Sequence, residues 1–597
     1  MRSLHVPRRL VILVALAAIF RLPGLDRVPP PLNQDEASRG YDAWCLLETG
    51  ADRHGERLPF FLESFGPGDN TAALTTWLTV PFVAWLGPTP TAMRLPDALL
   101  AVATVALLYI WLRRWIGETV ALIAAAVLAL DPWHIALTRT AHESGFTPFF
   151  LVFALLAMDR AGLLPGGWGH GQNAGGDRAA ASLPPATRAD GGSRIAWGFA
   201  AGVLLSLYAW AYPATRFFTP LFGLAIGIIY LRIYINGFRS GRARRVILSA
   251  ATGLILGTIP LWHTARSQPE RLVSRARATL LIHQERPIPD ILRAFTAHYI
   301  AHLDPRYAFL QADEMSGASI PRIGLHLIGL APIWLIGLIR ILAGLRRDSG
   351  SRLLFAWLLL YPIPAAICSD WNPHPMRSVA GIPLFPIITA LGGRWLIDRL
   401  ALRTPKTRRR LAVSAGILLL LNLAHFTQAY YRRFPSVAAD AYQTNLLRAI
   451  EFAADRDVGA DFILVTNEAN QPYIYALLSE PIRPADLAGH PLAVTPGPKG
   501  FHQVLRAGRF LFVPIDPVRY PEAKLRFQAI LDNLPNSVTG LVIERDGPDG
   551  IAFDESDVIY RTSSDPGADA VKQRHYRVRR WHRLRVGPIG AHPAGGG

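Results

Sequence analysis

The sequence predicts a mainly α-helical, polytopic membrane protein with a small α/β domain at its C-terminal end. Three observations carry this. The mean hydropathy is positive, +0.22, although the formal charge is +18; apolar spans separated by basic loops reconcile the two. Only 18% of the 597 residues are charged, against about a quarter in a soluble protein. Finally, 51% are hydrophobic, which excludes a disordered chain, while two cysteines exclude a disulfide scaffold.

A spanning helix needs about 20 mostly apolar residues. Eleven stretches qualify: 9–25, 92–112, 116–135, 145–158, 195–212, 217–235, 246–263, 323–343, 352–369, 378–397 and 411–430. A twelfth, 71–87, is shorter and carries Pro81. The positive-inside rule decides its status. If 71–87 does not span and the N-terminus is cytoplasmic, four short basic stretches all fall inside: Arg113–Arg114, Arg232–Arg245, Arg340–Arg352 and Arg399–Arg410. If it spans, all four fall outside. The first arrangement is expected, with the apolar run near the N-terminus retained as the first span.

The remaining segments follow from this topology. Residues 159–194, rich in Gly and Ala, read as a disordered cytoplasmic loop. The outer side holds 26–91, the 136–144 turn, the 264–322 loop and the turn at 370–377. Residues 1–434 form the transmembrane part and 435–597 an extracytoplasmic domain. In that domain 460–467, 508–516 and 537–547 read as strands, and NQPYIYALLSE and EAKLRFQAILDNL as helices. High Arg and Ala with few Lys suggests a GC-rich bacterial source, and the expected location is the bacterial inner membrane.

Ionisable residues collect at the outer level. Asp35 and Glu36 follow the first span after a proline run; a solvated helix N-terminus is their bland reading. The helix that follows places Tyr41, Trp44 and Leu47 on one side, as suits a surface-lying helix. Arg139, His142 and Glu143 sit at the end of the third span, where an i, i+4 pair of Arg139 and Glu143 is the simple explanation. Arg216 follows a Pro-broken helix end, and Asp370, His374 and Arg377 share a later turn. Arginines on this side are less readily explained as topology signals. Together these groups suit one chemistry: a carboxylate as general base on a hydroxyl, and arginines binding a phosphate that leaves.

The motifs resemble the GT-C glycosyltransferases that use polyprenyl-phosphate sugars, in the protein O-mannosyltransferase and aminoarabinose-transferase branch. The resemblance covers most of residues 8–435. It rests on NQDEASRGYDAW after the first span, the 94–139 stretch, TRTAHES, YAWAYPATRFFTP, HYIAHLDPRYAFLQADEMSG and NPHPMRSVAGIPLF, in the family's order. The resemblance implies an inverting glycosyltransferase acting on the extracytoplasmic face. Asp35 would be the general base and Glu143 a second acid. Arg216, His374 and Arg377 would bind the donor phosphate, with supporting roles for Glu36, Arg139 and His142. The expected partners are a polyprenyl-phosphate-linked sugar and the bilayer; the acceptor stays open among protein, lipid and glycan. Absence of a tryptophan–aspartate signature from the C-terminal domain disfavours sequon glycosylation. No ligand spacing reaches a metal signature, so no cofactor is assigned and a divalent metal stays open.

Other features read blandly. Cys45 and Cys368 read as packed free thiols, although both fall near the outer boundary. His263, His283, His298 and His302 read as surface or packing residues. The basic, aromatic-laced stretch 572–585 would suggest nucleic acid on a soluble chain; in an outer domain it suggests a strand with a basic face, meeting anionic headgroups or an acidic glycan, and no nucleic acid. The alternative function is a transporter or flippase of lipid-linked sugars, against which stand the few charges within the spans and the lack of an internal repeat.

Overall fold

The computed structural model describes residues 7–165, 191–239, 241, 243–312, 320 and 322–455. Beyond these it describes 459–466, 470–479, 482–489, 492–497, 501–514, 521–532, 540–545, 558–561 and 576–581. The expected loop at 159–194 therefore lies largely outside the described residues, as do parts of the basic stretch 572–585. The chain is mainly helical and divides into two compact units. The first holds Met1–Pro31, Leu58–Glu63 and Asn70–Pro435; the second holds Leu32–Arg57, Ser64–Asp69 and Ser436–Gly597.

The first unit is a multi-pass membrane bundle. Each of the eleven predicted apolar stretches contains a helix. Among the described residues six helices are long and apolar enough to cross a membrane, or seven if a bent pair counts as one span. The other predicted spans fall on shorter or interrupted helices, and 71–87 holds the 13-residue helix Leu74–Leu86. Its buried centre is aromatic and aliphatic, with Trp111, Trp115 and Trp357 fully enclosed.

Glycine sets the closest helix contacts. On Gly202 a Cβ would collide with the Ala250 carbonyl, and on Gly253 with that of Phe199, so helices Gly191–Ala211 and Arg244–Gly257 meet backbone to backbone. Gly337 and Gly392 do the same for helices Ala331–Gly344 and Leu384–Ala401. In lipid, such small-residue seams replace the missing hydrophobic drive for helix association.

The bent pair explains one buried arginine, Arg21. Helix Glu118–Ala129 breaks before Pro132–Thr138 at an angle of 53°. Asp131 N-caps the second piece by accepting from the His134 N–H at 3.0 Å. The break leaves terminal carbonyls without helical partners. Arg21, fully buried at the end of helix Arg8–Arg21, donates to those of Ala129 at 2.7 Å and Leu128 at 2.9 Å. Arg94 holds the next segment, donating to the carbonyls of Leu25, Pro29 and Pro30.

The second unit is α/β. Read across its sheet, the described strands are Ala493–Pro496, His502–Ala507, Phe510–Phe512, Phe462–Val465, Gly540–Arg545, Tyr576–Trp581 and Val558–Arg561. Phe462–Val465 is parallel to both of its neighbours and the other pairs are antiparallel. A parallel pair requires a crossover connection, and helix Pro521–Asp532 lies in one of them. Strands at 462–465, 510–512 and 540–545 and the helix at 473–479 lie within the stretches so predicted, and the helix at 521–532 overlaps its own. Part of the basic stretch forms the strand Tyr576–Trp581, with Tyr576, Val578 and Arg579 buried.

Helix Gln34–Thr49 belongs to this second unit. It starts at a capping box in which Asn33 and Glu36 satisfy each other's backbone N–H. It ends at Gly50, whose φ of 71° is the left-handed cap that glycine adopts freely. Most of its faces are buried, including Tyr41, whose hydroxyl donates to the Ile482 carbonyl at 2.7 Å. Leu47, expected on the same side as Tyr41, is exposed. Cys45 and Cys368 are both free thiols.

Candidate functional site

Glu143, Arg216, His374 and Arg377 all lie in the first unit, and the structure gathers them. Glu143 is buried in the turn that follows helix Pro132–Thr138. Arg216 sits in the first turn of helix Pro213–Arg239, its guanidinium 4.9 Å from the centre of the Phe61 ring. The charges that act on it are those of Glu143 and Arg275. Tyr212, at the break before that helix, feels Arg377, Glu143 and Arg275 together. His374 in turn feels Arg377, His302 and Arg275. Three arginines, one buried carboxylate, a phenol and two imidazoles therefore share one electrostatic neighbourhood.

Three cross-links position these groups. The Trp133 indole donates to the Pro375 carbonyl at 3.2 Å, tying the bent helix to the 374–377 turn. The Ser369 N–H donates to the Thr279 carbonyl at 2.7 Å and the Leu281 N–H to that of Ile367 at 2.9 Å, which stitches the end of helix Pro269–Thr279 to the segment before Asp370. That helix carries Arg275. The His374 backbone N–H donates to His302 Nε2 at 2.9 Å, while His302 Nδ1 bonds the His298 carbonyl at 2.8 Å.

The histidine hydrogen bonds fix protonation states. His302 accepts at Nε2 and so donates at Nδ1, the neutral tautomer; burial lowers its pKa to about 4. His374 accepts the Met376 N–H at Nδ1, which leaves its Nε2–H as a neutral donor. Burial first, then the positive charges of Arg377 and Arg275, hold His374 well below the usual imidazole range. Of the histidines read as bland, His302 thus supports the site.

The arginines differ in what they have left to offer. Arg377 forms a two-pronged pair with Asp370 through both terminal nitrogens. Arg216 makes no hydrogen bond at Nε or Nη2, both buried. Arg139 is fully committed elsewhere: its donors reach the carbonyls of Phe20, Arg21, Pro23, Gly24 and Val28. It braces the backbone after the first helix, a different task from the helix pair its spacing suggests. His142 bonds Ser144 Oγ at 2.8 Å and lies edge-on to Tyr212, beside the cluster.

Asp35 and Glu36 lie in the second unit. Glu36 is fully buried in the capping box, so its position is explained by the helix start. Asp35, in the same first turn, is half-buried. Arg275 and Tyr212 escaped the sequence reading, since Arg275 is one of several arginines in PERLVSRARAT. Among the described residues no group of three or more His, Cys, Asp or Glu side chains is placed to hold a metal ion.

No protein-family model matches the sequence, and no curated protein matches it. Solved structures do. ArnT from Cupriavidus metallidurans bound to undecaprenyl phosphate matches with a TM-score of 0.51 at 12% identity, over 90% of this chain and 93% of that one. ArnT in the apo state matches with 0.50 at 12% identity, over 89% and 92%. The oligosaccharyltransferase AglB from Archaeoglobus fulgidus, in complex with an inhibitory peptide and a dolichol-phosphate, matches with 0.41 at 13% identity, over 79% and 63%. At this identity the likeness is one of fold: this chain shares the fold of ArnT.

Proposed function

We propose that the protein is an inverting glycosyltransferase that moves a sugar from a polyprenyl phosphate to an acceptor at the extracytoplasmic face of a bacterial inner membrane. The observation that carries this reading is the grouping of Arg216, Arg275, Arg377, His374 and Glu143 in one neighbourhood of the first unit. A fold shared with ArnT, a protein seen bound to undecaprenyl phosphate, is consistent with it. So is the expected topology of eleven spans with a cytoplasmic N-terminus and an extracytoplasmic C-terminal domain, which puts these residues on one side.

In this mechanism Asp35 takes the proton from the acceptor hydroxyl. The acceptor oxygen bonds to the anomeric carbon from the face opposite the phosphate, as the bond from that carbon to the phosphate oxygen breaks. The electron pair of that bond leaves on the phosphate, whose growing charge is met by the arginines and by the neutral Nε2–H of His374. Arg216 is the strongest phosphate ligand, because Asp370 already holds the fork of Arg377. Glu143 orients the acceptor and balances the arginine charge. A phosphate leaves without needing a general acid.

The test is transfer of labelled sugar from an undecaprenyl-phosphate donor by the purified chain. Asp35→Asn is expected to lower kcat by at least about 100-fold, the scale of general-base loss. Arg216→Ala and Arg275→Ala are expected to raise the donor KM and lower kcat/KM by about 10-fold or more. Full activity in Asp35→Asn and Arg216→Ala would remove the assignment. Movement of the lipid across the bilayer without group transfer would support a flippase instead.

A further inference from the structure

Phe61 lies in the first unit beside the arginine cluster, and the mechanism above gives it no task. It opens a short antiparallel ribbon, Phe61–Glu63 against Asn70–Ala72. The residue is 1% exposed and packs with Ala72 and Trp210. Its ring centre is 4.9 Å from the Arg216 guanidinium, inside the roughly 6 Å at which a ring face attracts a cation.

Arg216 has little else to fix it. Nε and Nη2 are buried and make no hydrogen bond. The Glu143 charge acts on it, which attracts the cation without setting the plane of its fork. A ring face works differently: it attracts the guanidinium charge and consumes no N–H. Arg139 shows the opposite arrangement, its donors spent on backbone carbonyls. A guanidinium held by a ring keeps its donors for a ligand that arrives.

The ring is itself braced. The Phe61 carbonyl accepts from Arg271 Nη1 at 3.1 Å. On the partner strand Asn70 donates from Nδ2 to Ser274 Oγ at 3.4 Å. Arg271 and Ser274 belong to helix Pro269–Thr279, which also carries Arg275. Next to Phe61, the Phe60 ring lies edge-on to Trp210 at 6.0 Å and to His263 at 5.4 Å. The Ala73 N–H donates to the Phe60 carbonyl at 3.0 Å. One ribbon therefore meets Arg216 through a ring and the helix of Arg275 through a carbonyl.

We propose that Phe61 is a positioning residue for the donor phosphate: its ring holds the Arg216 guanidinium in place and leaves the N–H groups unspent. The inference rests on the reading that Arg216 binds that phosphate. In this role Phe61 touches no reacting atom, so changes to its ring act only through Arg216.

The experiment follows sugar transfer from the undecaprenyl-phosphate donor by the full purified chain. Mono-, di- and trifluorinated phenylalanine at position 61 keep the outline of the ring and weaken its negative face stepwise. The donor kcat/KM is expected to fall with each fluorine, by about fivefold at the third. Phe61→Leu removes the ring face and should lower it by about 5- to 30-fold. In an Arg216→Ala background the fluorine series should be flat, because the partner is gone. If Arg216→Ala alone lowers kcat/KM, a flat series beside an intact Arg216, or the same slope in both backgrounds, would overturn the role of Phe61 and leave that of Arg216 standing. Full kcat/KM in Arg216→Ala would instead sink the phosphate reading, and this inference with it.

Discussion

At the scale of single residues, chemistry and scaffolding proved hard to tell apart by type alone. Arg139 and Glu143 stand four apart, the spacing of a helix ion pair. Yet Arg139 donates to five backbone carbonyls between Phe20 and Val28, acceptors that only the folded chain brings within reach. Glu36 spends its carboxylate on a capping box whose pattern was present in NQDE, Asn33 followed three residues later by Glu36. Arg275 left no local mark in its arginine-rich helix. Asp42 offers a test at this scale. Burial raises its pKa from 3.8 to about 7, with Arg53 opposing the shift. Between those two values the folded chain binds more protons than the unfolded one, so stability is expected to fall as pH rises from about 4 to about 7 and to level off above. Hydrogen exchange of residues 38–53 across that range measures it, and Asp42→Asn should flatten the slope. A slope unchanged in that variant would exclude Asp42 as its source.

At the scale of elements, apolar runs were legible because the bilayer imposes a minimum of apolar length. All eleven predicted stretches hold helix. Their interruptions were not legible in the same way. Asp131–Pro132 signals a helix start, but nothing local tells whether the preceding helix bends, ends or continues. The glycine seams are likewise a tertiary property. Gly337 and Gly392 sit in ordinary apolar sequence, and only the approach of the two helices makes a side chain intolerable there. Gly337→Leu is therefore expected to destabilise the bundle by about 1–3 kcal/mol or more through overpacking. Gly416, with open space around it, should accept alanine with little change. Thermal unfolding of the two variants in the same lipid decides the matter, and equal melting temperatures would contradict the seam.

At the scale of the whole molecule, the membership of the second unit left no trace in the sequence. Leu32–Arg57 and Ser64–Asp69 join residues from Ser436 onward in one compact body. Contacts such as Tyr41 with Ile482 link positions 441 apart in sequence, a separation that no periodicity encodes. The charge pattern does bear on topology. If 71–87 lies at the interface, cysteines introduced at Arg113, Arg239 and Arg403 should all be shielded from an impermeant thiol reagent in intact cells, and one at Gln528 should be labelled. Labelling of the first three would invert the proposed orientation. The buried Arg21 has a further meaning in time. Besides the Ala17 carbonyl in its own helix, its acceptors are Leu128, Ala129 and His134, which lie 107 to 113 residues further along the chain. Until they have been synthesised, the cation at the end of the first helix has none of these partners and must keep its charge at the membrane–water interface. The opening segment is thus provisional during biogenesis, and it becomes a committed part of the bundle only when the bent helix arrives to receive it.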